Sequence, residues 1–459
     1  MGFRRNRGKP VIAQWSALPR WDYKSARAAL FAERHPNFVP LGEYAEEATE
    51  LIDPRKEPGK EWPIYGVNNE SGVFLSTRQK GSEFNSNYKR IRKDYFFHNP
   101  TRANVGSLGR VQDVPPDAIT SPEYQVWKPC PGLLPAFAEI LIKTEFFLDQ
   151  IECHRVGGVK ERLFVQNLFE IPVPIPALPI QQKIVAHWEA AQTEANLLLS
   201  QANQLPGELE KQVLGALGLK KKKQVAMPKV MVTNWADLTK WNQRATYLLG
   251  QTPDLSKGTY PVVSGRECIA EVKHGCSASP SNKPTTLKVL KLSAVTSGQF
   301  LPSEAKFITD KKPYRENFDL IKGDILMCRT NGTLAYVGRP AILEKDYPEL
   351  IFPDKLMRVR CKANVLPEYL EYILSSSIAR PQLEANARTA VGNHAIGNED
   401  VFNVELPLPP ISEQEKLVKI MQEARNESGR AREEAMSLKR KAEKEIEKMI
   451  LGTRPVEAY

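Results

Sequence analysis

Two stretches of the chain decide the fold: IPVPIPALPIQQKIV, from Ile171 to Val185, and VELPLPPISEQEKLV, from Val404 to Val418. Pro174, Pro176, Gln181, Lys183 and Val185 of the first lie over Pro407, Pro409, Gln414, Lys416 and Val418 of the second, all at an offset of 233. Proline neither continues a helix nor donates to a strand ladder, so each stretch reads as an extended hinge that ends where a helix begins. Downstream of the first hinge, Ile184, Trp188, Ala191, Ala195, Leu198, Ala202, Leu205 and Leu209 recur at alternating spacings of four and three. Downstream of the second, Leu417, Met421, Ala424, Ser428, Ala431, Ala435, Leu438, Ala442 and Met449 do the same, interrupted only by Glu445. That spacing is the heptad pattern of a coiled-coil seam. Two such helices at matching positions are expected to pack on each other through Ile184, Trp188, Leu198, Leu205, Leu417, Met421, Ala431 and Leu438. Gln181–Leu217 and Glu413–Ile450 are the expected spans, each about 57 Å long as a straight helix. Pro206-Gly207 is expected to break or kink the first near its end.

The likeness spreads upstream from the hinges. LLPAFAEILI from Leu133 lies over VLPEYLEYIL from Val365, Pro122 over Pro353, and Gly158 over Gly392. Near the start, Trp15, Leu18 and Trp21 match Trp235, Leu238 and Trp241 at an offset of 220. Order is kept over five blocks, so the chain is a duplicated unit of about 220 to 230 residues. The expected architecture is α+β. Two homologous α/β domains are separated by two long helices that pair as an antiparallel coiled coil, giving a pseudo-two-fold internal repeat. The boundaries read as 1–172 for the first domain, 173–224 for the first helix and linker, 225–406 for the second domain and 407–459 for the second helix.

Composition narrows the function. The 459 residues are 41% hydrophobic and 26% charged, with a net charge of +10 that points toward a polyanion. No apolar run approaches a membrane span, and the basic start lacks the apolar region of a secretory signal. Six cysteines without C-x-x-C spacing argue for free thiols in a reducing compartment, hence a cytoplasmic protein without a zinc knuckle. The six histidines form no H-E-x-x-H site, and there is no phosphate loop or dinucleotide fingerprint. Asn99-Pro100 matches half of an amino-methyltransferase motif but continues into Thr101-Arg102. One enzymatic pattern fits literally. Pro253-Asp254 followed by Glu271-Val272-Lys273 matches the metal-dependent nuclease arrangement, in which two carboxylates hold Mg²⁺ and a lysine orients water. A surface turn and a surface strand explain the same residues.

Basic segments with amides and aromatics interleaved carry more information. Between Ser76 and Arg110 lie Arg78, Lys80, Lys89, Arg90, Arg92, Lys93 and Arg102, with Tyr88, Tyr95, Phe96 and Phe97 among them and Asn104 nearby. The second unit offers Lys283, Lys311, Lys312 and Arg315, then GDILMCRTNGTLAYVG. There Asn331-Gly332 between apolar runs signals a tight hairpin that would project Arg329, Thr330 and Asn331. As groups, these residues read as a nucleic-acid surface, with phosphate contacts that position and loop side chains that specify. Lys220–Lys223 reads either as a solvated linker or as a further phosphate contact.

The duplicated plan, GDILMCRTNGTLAYVG, FPDKLMRVR, and VGNHAIGNEDVFNVELPLPPISEQEKLV with the helix after it resemble the specificity subunit of a type I restriction–modification system. The first unit fits less closely, because DYFFHNPTRANVGSLGR lacks the R-x-N-G turn. The resemblance implies one target-recognition domain and one helix per repeat. The two domains would read the halves of a bipartite double-stranded DNA site, and the helices would dock two methyltransferase subunits. Restriction motor-nuclease subunits would join them. Catalysis, S-adenosylmethionine, ATP and Mg would belong to those partners, so this chain would be a non-enzymatic, metal-free component of DNA methylation and antiviral defence. The alternative from the residues themselves is a stand-alone nuclease using Asp254, Glu271 and Lys273.

Overall fold

A computed structural model describes residues 22–222, 226–227, 242–309, 312–390 and 392–456. The tryptophan-containing echo at 15–21 and 235–241, Lys223 and Lys311 lie outside the described residues, as do the side chains of Lys312 and Arg315. The chain divides into two compact units, Met1–Leu198 with Glu433–Tyr459, and Leu199–Arg432. Each unit therefore takes part of both long helices.

In the first unit, an antiparallel sheet runs Ala45–Glu47, Gln125–Pro129, Phe96–His98, Leu108–Arg110 in spatial order. A second sheet orders Leu51–Ile52, Tyr88–Arg90, Ile119–Thr120, Glu61–Asn68 and Gly72–Lys80, with one parallel pair at Ile64 and Ile119. Phe96 stacks on Trp127 at 4.4 Å, and Phe137, Phe147 and Leu141 close the core around them. Phe96 and Phe97 are fully buried. Of the aromatics interleaved with the basic residues, Phe96 and Phe97 thus pack the interior, while Tyr88 and Tyr95 are half-buried.

The second unit repeats the plan. Ile269–His274, Leu356–Cys361, Ile325–Cys328 and Pro340–Ile342 form its antiparallel sheet. Ala305–Phe307, Lys288–Leu290 and Leu350–Ile351 form the next, again with one parallel pair, Val289 with Ile351. The inner strand Ile325–Cys328 is apolar and buried throughout, whereas its neighbour Leu356–Cys361 carries the buried Arg358, paired with Glu271 and Asp319, and Arg360, paired with Asp319 and Asp324.

The long helices run Leu178–Ala216 and Ile411–Ile450, each beginning a few residues before the expected start. One glutamine fastens each to its own domain. Gln181 is fully buried. Its Oε1 accepts from Leu134 N at 2.9 Å, and its Nε2 donates to Gly132 O at 2.7 Å and Pro176 O at 2.8 Å. Gln414 does the same: Oε1 accepts from Leu366 N at 2.8 Å, and Nε2 donates to Asn364 O at 3.1 Å and Pro409 O at 2.9 Å. The hinge prolines cannot donate to their surroundings, and the glutamine amide takes up the carbonyls they leave unmet. Both helices end on a left-handed glycine, Gly218 at φ 73° and Gly452 at φ 71°, where glycine carries no Cβ penalty.

The heptad stripe is the buried face. Ile184, Ala195, Ala202 and Leu209 are buried on the first helix, and Leu417, Met421, Ala435, Ala442 and Met449 on the second, with Trp188, Leu198, Leu205, Ala431 and Leu438 half-buried between them. Within the first unit, Lys439 Nζ donates to Asn196 Oδ1 at 3.3 Å and His187 Nε2 lies 3.4 Å from Glu445. Glu445, the interruption in the stripe, also pairs with Arg454 at 2.8 Å. Within the second unit, Arg432 donates to Asn203 Oδ1 at 3.2 Å and Ser428 Oγ to Ala202 O at 3.1 Å. The expected break at Pro206-Gly207 does not occur, because the helix continues through Pro206 to Ala216. Leu209, Val213 and Leu217 beyond the proline are core residues of this unit, and their burial holds the helical course.

Candidate nucleic-acid interface

In both units the central strand runs out into a loop that is tied to a hairpin from later in the chain. In the first unit the loop after Phe96–His98 accepts at Pro100 O from Leu163 N, 2.9 Å. Leu163 ends a small hairpin closed by the reciprocal bonds of Val156 and Arg162, at 2.9 and 2.8 Å. In the second unit Arg329 O accepts from Ile396 N at 3.1 Å. There the hairpin Arg388–Ala390 with Asn393–Ala395 adds Thr330–Asn331 as a third strand, Thr330 opposite Ala395 and Asn331 opposite His394. Gly157 at φ 117° and Gly392 at φ 75° make the two hairpin turns.

This pairing corrects the expected Asn331-Gly332 hairpin. A two-residue type I′ turn needs positive φ at both central residues. Neither Asn331 nor Gly332 is among the described residues with positive φ. Asn331 instead joins a strand from the following hairpin, and its Oδ1 accepts from Thr333 N at 2.9 Å. Arg329 is not projected either: it is half-buried and its Nη1 donates to Asp354 O at 3.0 Å. Burial, followed by the Arg329 charge, holds nearby His274 below its ordinary pKa.

The loop-hairpin pairs expose cations and amides together. Arg102, Lys160 and Arg162 are exposed in the first unit and Arg388 in the second, none with an ion-pair partner among the described residues. Glu161, in the same hairpin, is taken up by Lys24 at 2.5 Å and Arg155 at 3.5 Å. In the second unit Thr389 Oγ1 lies 3.0 Å from His394 Nδ1, beside Asn393. Behind the first loop, His98 is fully buried with Nε2 3.0 Å from Leu163 O, and burial holds its pKa down at about 4. The imidazole is therefore neutral at pH 7 and acts as a fixed spacer between loop and hairpin. Arginine, lysine and amide groups held on rigid strands have the chemistry to contact phosphates and base edges.

The other residues singled out from the sequence are dispersed. Arg78 and Lys80 are exposed on an edge strand. Lys89 donates to Tyr124 O at 2.8 Å, and burial lowers its pKa. Arg90 donates to Pro116 O at 2.8 Å, Arg92 pairs with Glu50 at 2.6 Å, and Lys93 lies 3.5 Å from Asp113. Asn104 is half-buried in the turn Ala103–Val105, and Lys283 is exposed in a loop. The Lys312–Asn317 segment is helical. The hairpins at 156–162 and 388–395 were missed in the sequence. Their signal is a turn glycine beside basic residues, inside a block notable only for its family likeness.

The nuclease pattern does not assemble. Asp254 sits in a turn with Ser256 at 2.6 Å and Lys257 at 3.2 Å. Glu271 is engaged by the buried Arg358 at 2.6 Å, and the Lys273 ammonium lies 5.8 Å from the Phe318 ring centre. Among the described residues no three His, Cys, Asp or Glu side chains are placed to hold a metal ion, and no helix is long and apolar enough to cross a membrane.

Residues 252–434, which contain the second loop-hairpin pair, match the type I restriction modification DNA specificity domain. The chain is 31% identical over 152 residues to the EcoKI specificity subunit of Escherichia coli K12, a third of each chain. It is 22% identical over 289 residues to the StySPI specificity subunit of Salmonella potsdam, covering 62% of this chain and 57% of that one. A solved structure described by complex assembly and conformational transition of the type I R-M system shares the fold over 90% of this chain and 97% of its own, with TM-score 0.56 and 17% identity. The likeness to the DNA specificity domain of type I restriction–modification systems therefore lies in residues 252–434. In sequence the chain is similar to these specificity subunits over part of its length, and it shares its fold with the solved structure. Its match to EcoKI spans about a third of that relative's length.

Proposed function

We propose that the chain is the DNA-specificity subunit of a type I restriction–modification complex. Each unit reads one half of a bipartite double-stranded site, the first around Arg102, Lys160 and Arg162 and the second around Thr330, Asn331, Arg388 and His394. The observation that carries this reading is the same loop-hairpin pair in both units, bonded alike at Leu163 with Pro100 and Ile396 with Arg329, with cations outward. Arg78, Lys80 and Lys283 add phosphate contacts at their edges. The functional partition follows the repeat, with recognition domains at 1–172 and 225–406 and helical spacers at 173–224 and 407–459. The helices act as one antiparallel coiled coil. In support, the partners on the second helix run backward, from Glu445 for His187 to Arg432 for Asn203. Two methyltransferase subunits and the restriction motor-nuclease subunits supply the catalysis, S-adenosylmethionine, ATP and Mg, in the cytoplasm. This chain selects the site.

The test is DNA binding by the chain assembled with its methyltransferase, titrated with salt. Log affinity should fall linearly with log salt, at about −0.9 per phosphate contacted. Arg162→Ala and Arg388→Ala should each reduce that slope or relax preference in one half-site only. Salt-independent affinity, or identical site preference in both variants with no change of slope, would refute the proposed reading surfaces.

A further inference from the structure

The first long helix runs through Pro206, and proline has no N–H to give to the carbonyl four residues before it. That carbonyl belongs to Ala202, which is fully buried, so water cannot take the place of the missing donor. The donor present is the hydroxyl of Ser428 on the second long helix, 3.1 Å from Ala202 O. The internal repeat supplies a control. At the offset of 233, Pro206 corresponds to Lys439, Ala202 to Ala435 and Ser428 to Ala195. Lys439 has its N–H, and the position that corresponds to Ser428 is an alanine. A hydroxyl stands on the seam only where a proline has removed a donor.

We infer that Pro206 and Ser428 form a register lock in the helix pair. A seam of alanines and leucines slipped by one heptad still meets apolar with apolar. After such a slip, Ser428 would face a carbonyl already bonded within its helix, and Ala202 O would be buried unmet. Only the observed register satisfies both groups, the logic by which a single buried asparagine fixes register in a coiled coil. The lock goes beyond the DNA-reading role and does not depend on it.

The test is denaturant unfolding of the full chain as a four-member cycle: wild type, Ser428→Ala, Pro206→Ala and the double variant. Ser428→Ala alone should shift the unfolding equilibrium about tenfold toward the unfolded chain. In the Pro206→Ala background, where residue 206 again has an N–H, the same change should matter less than about twofold. The better helix propensity of alanine over serine enters both backgrounds and cancels. Ser428→Thr keeps the hydroxyl and should restore wild-type behaviour, even if Ser428→Ala fails to fold. Equal losses in both backgrounds, no loss in either, or a Ser428→Thr variant as unstable as Ser428→Ala would overturn the lock.

Discussion

The two units agree closely where they hold the helices and differ where they face outward. Gln181 and Gln414 make the same three bonds to corresponding backbone atoms. A glutamate from the opposite repeat's helix accepts from a backbone amide in each unit: Glu447 from Phe146 N at 2.8 Å in the first, Glu210 from Ser377 N at 3.0 Å in the second. The outward parts diverge. The first unit extends its second sheet into the long hairpin Glu61–Asn68 with Gly72–Lys80. The second keeps strands of two or three residues there and builds a three-stranded sheet from Thr330–Asn331 and its hairpin. A duplicated frame thus carries two differently shaped outer surfaces, which under the proposed function would face two unlike half-sites. Even in the frame the two carboxyls shift in opposite directions. Burial pushes the Glu447 carboxyl up. At Glu210, Lys221 and Ser377 outweigh burial and hold it down.

The largest effect should come from the shared clamp. Gln181→Leu and Gln414→Leu each leave one amide and two carbonyls without their partner, and stranded buried polar groups cost about 1–3 kcal/mol each. Each variant should lose roughly 3–6 kcal/mol in denaturant unfolding, by similar amounts. If one variant is harmless while the other is not, the equivalence of the two units fails.

His98 gives the first unit an acid-sensitive component of stability. Its ordinary pKa is 6.5 and its folded value about 4, so the unfolded chain takes up the proton first. Stability is complete above pH 6.5 and declines as pH falls toward 4, by about 3 kcal/mol over that window. His98→Gln should flatten that decline. The corresponding strand Ile325–Cys328 has no histidine; in the second unit a component of this sign comes instead from His274, held below its ordinary value by burial and the Arg329 charge. An unchanged acid slope in His98→Gln would show that His98 is not what titrates.

Much of this was legible in the sequence, for physical reasons. Proline hinges, heptad spacing and the glutamine pair are local patterns that recur at a fixed offset, so the repeat and both helices could be read directly. The fate of the basic residues could not. Arg92 is consumed by Glu50, Lys89 by the Tyr124 carbonyl and Arg90 by the Pro116 carbonyl, pairings that tertiary folding sets and spacing does not reveal. Phe96 and Phe97 read as an interleaved aromatic surface and are core, because the strand Phe96–His98 is covered on both faces.

The smallest expected effect bears on the reading that failed. Had Asn331-Gly332 formed a type I′ turn, glycine at 332 would be required and Gly332→Ala would cost about 1 kcal/mol or more. Here Gly332 lacks positive φ, and a Cβ built on it meets nothing closer than 3.9 Å. Gly332→Ala should therefore change stability by less than about 0.5 kcal/mol. Gly338 is the contrast within the same connection. It sits at φ 73°, and a Cβ there would approach Leu383 Cδ1 at 3.1 Å. Gly338→Ala should cost more than about 1 kcal/mol, since both backbone and packing oppose it. Unfolding midpoints of the two variants decide the matter. A costly Gly332→Ala beside a tolerated Gly338→Ala would restore the hairpin turn and detach Thr330–Asn331 from the sheet with His394.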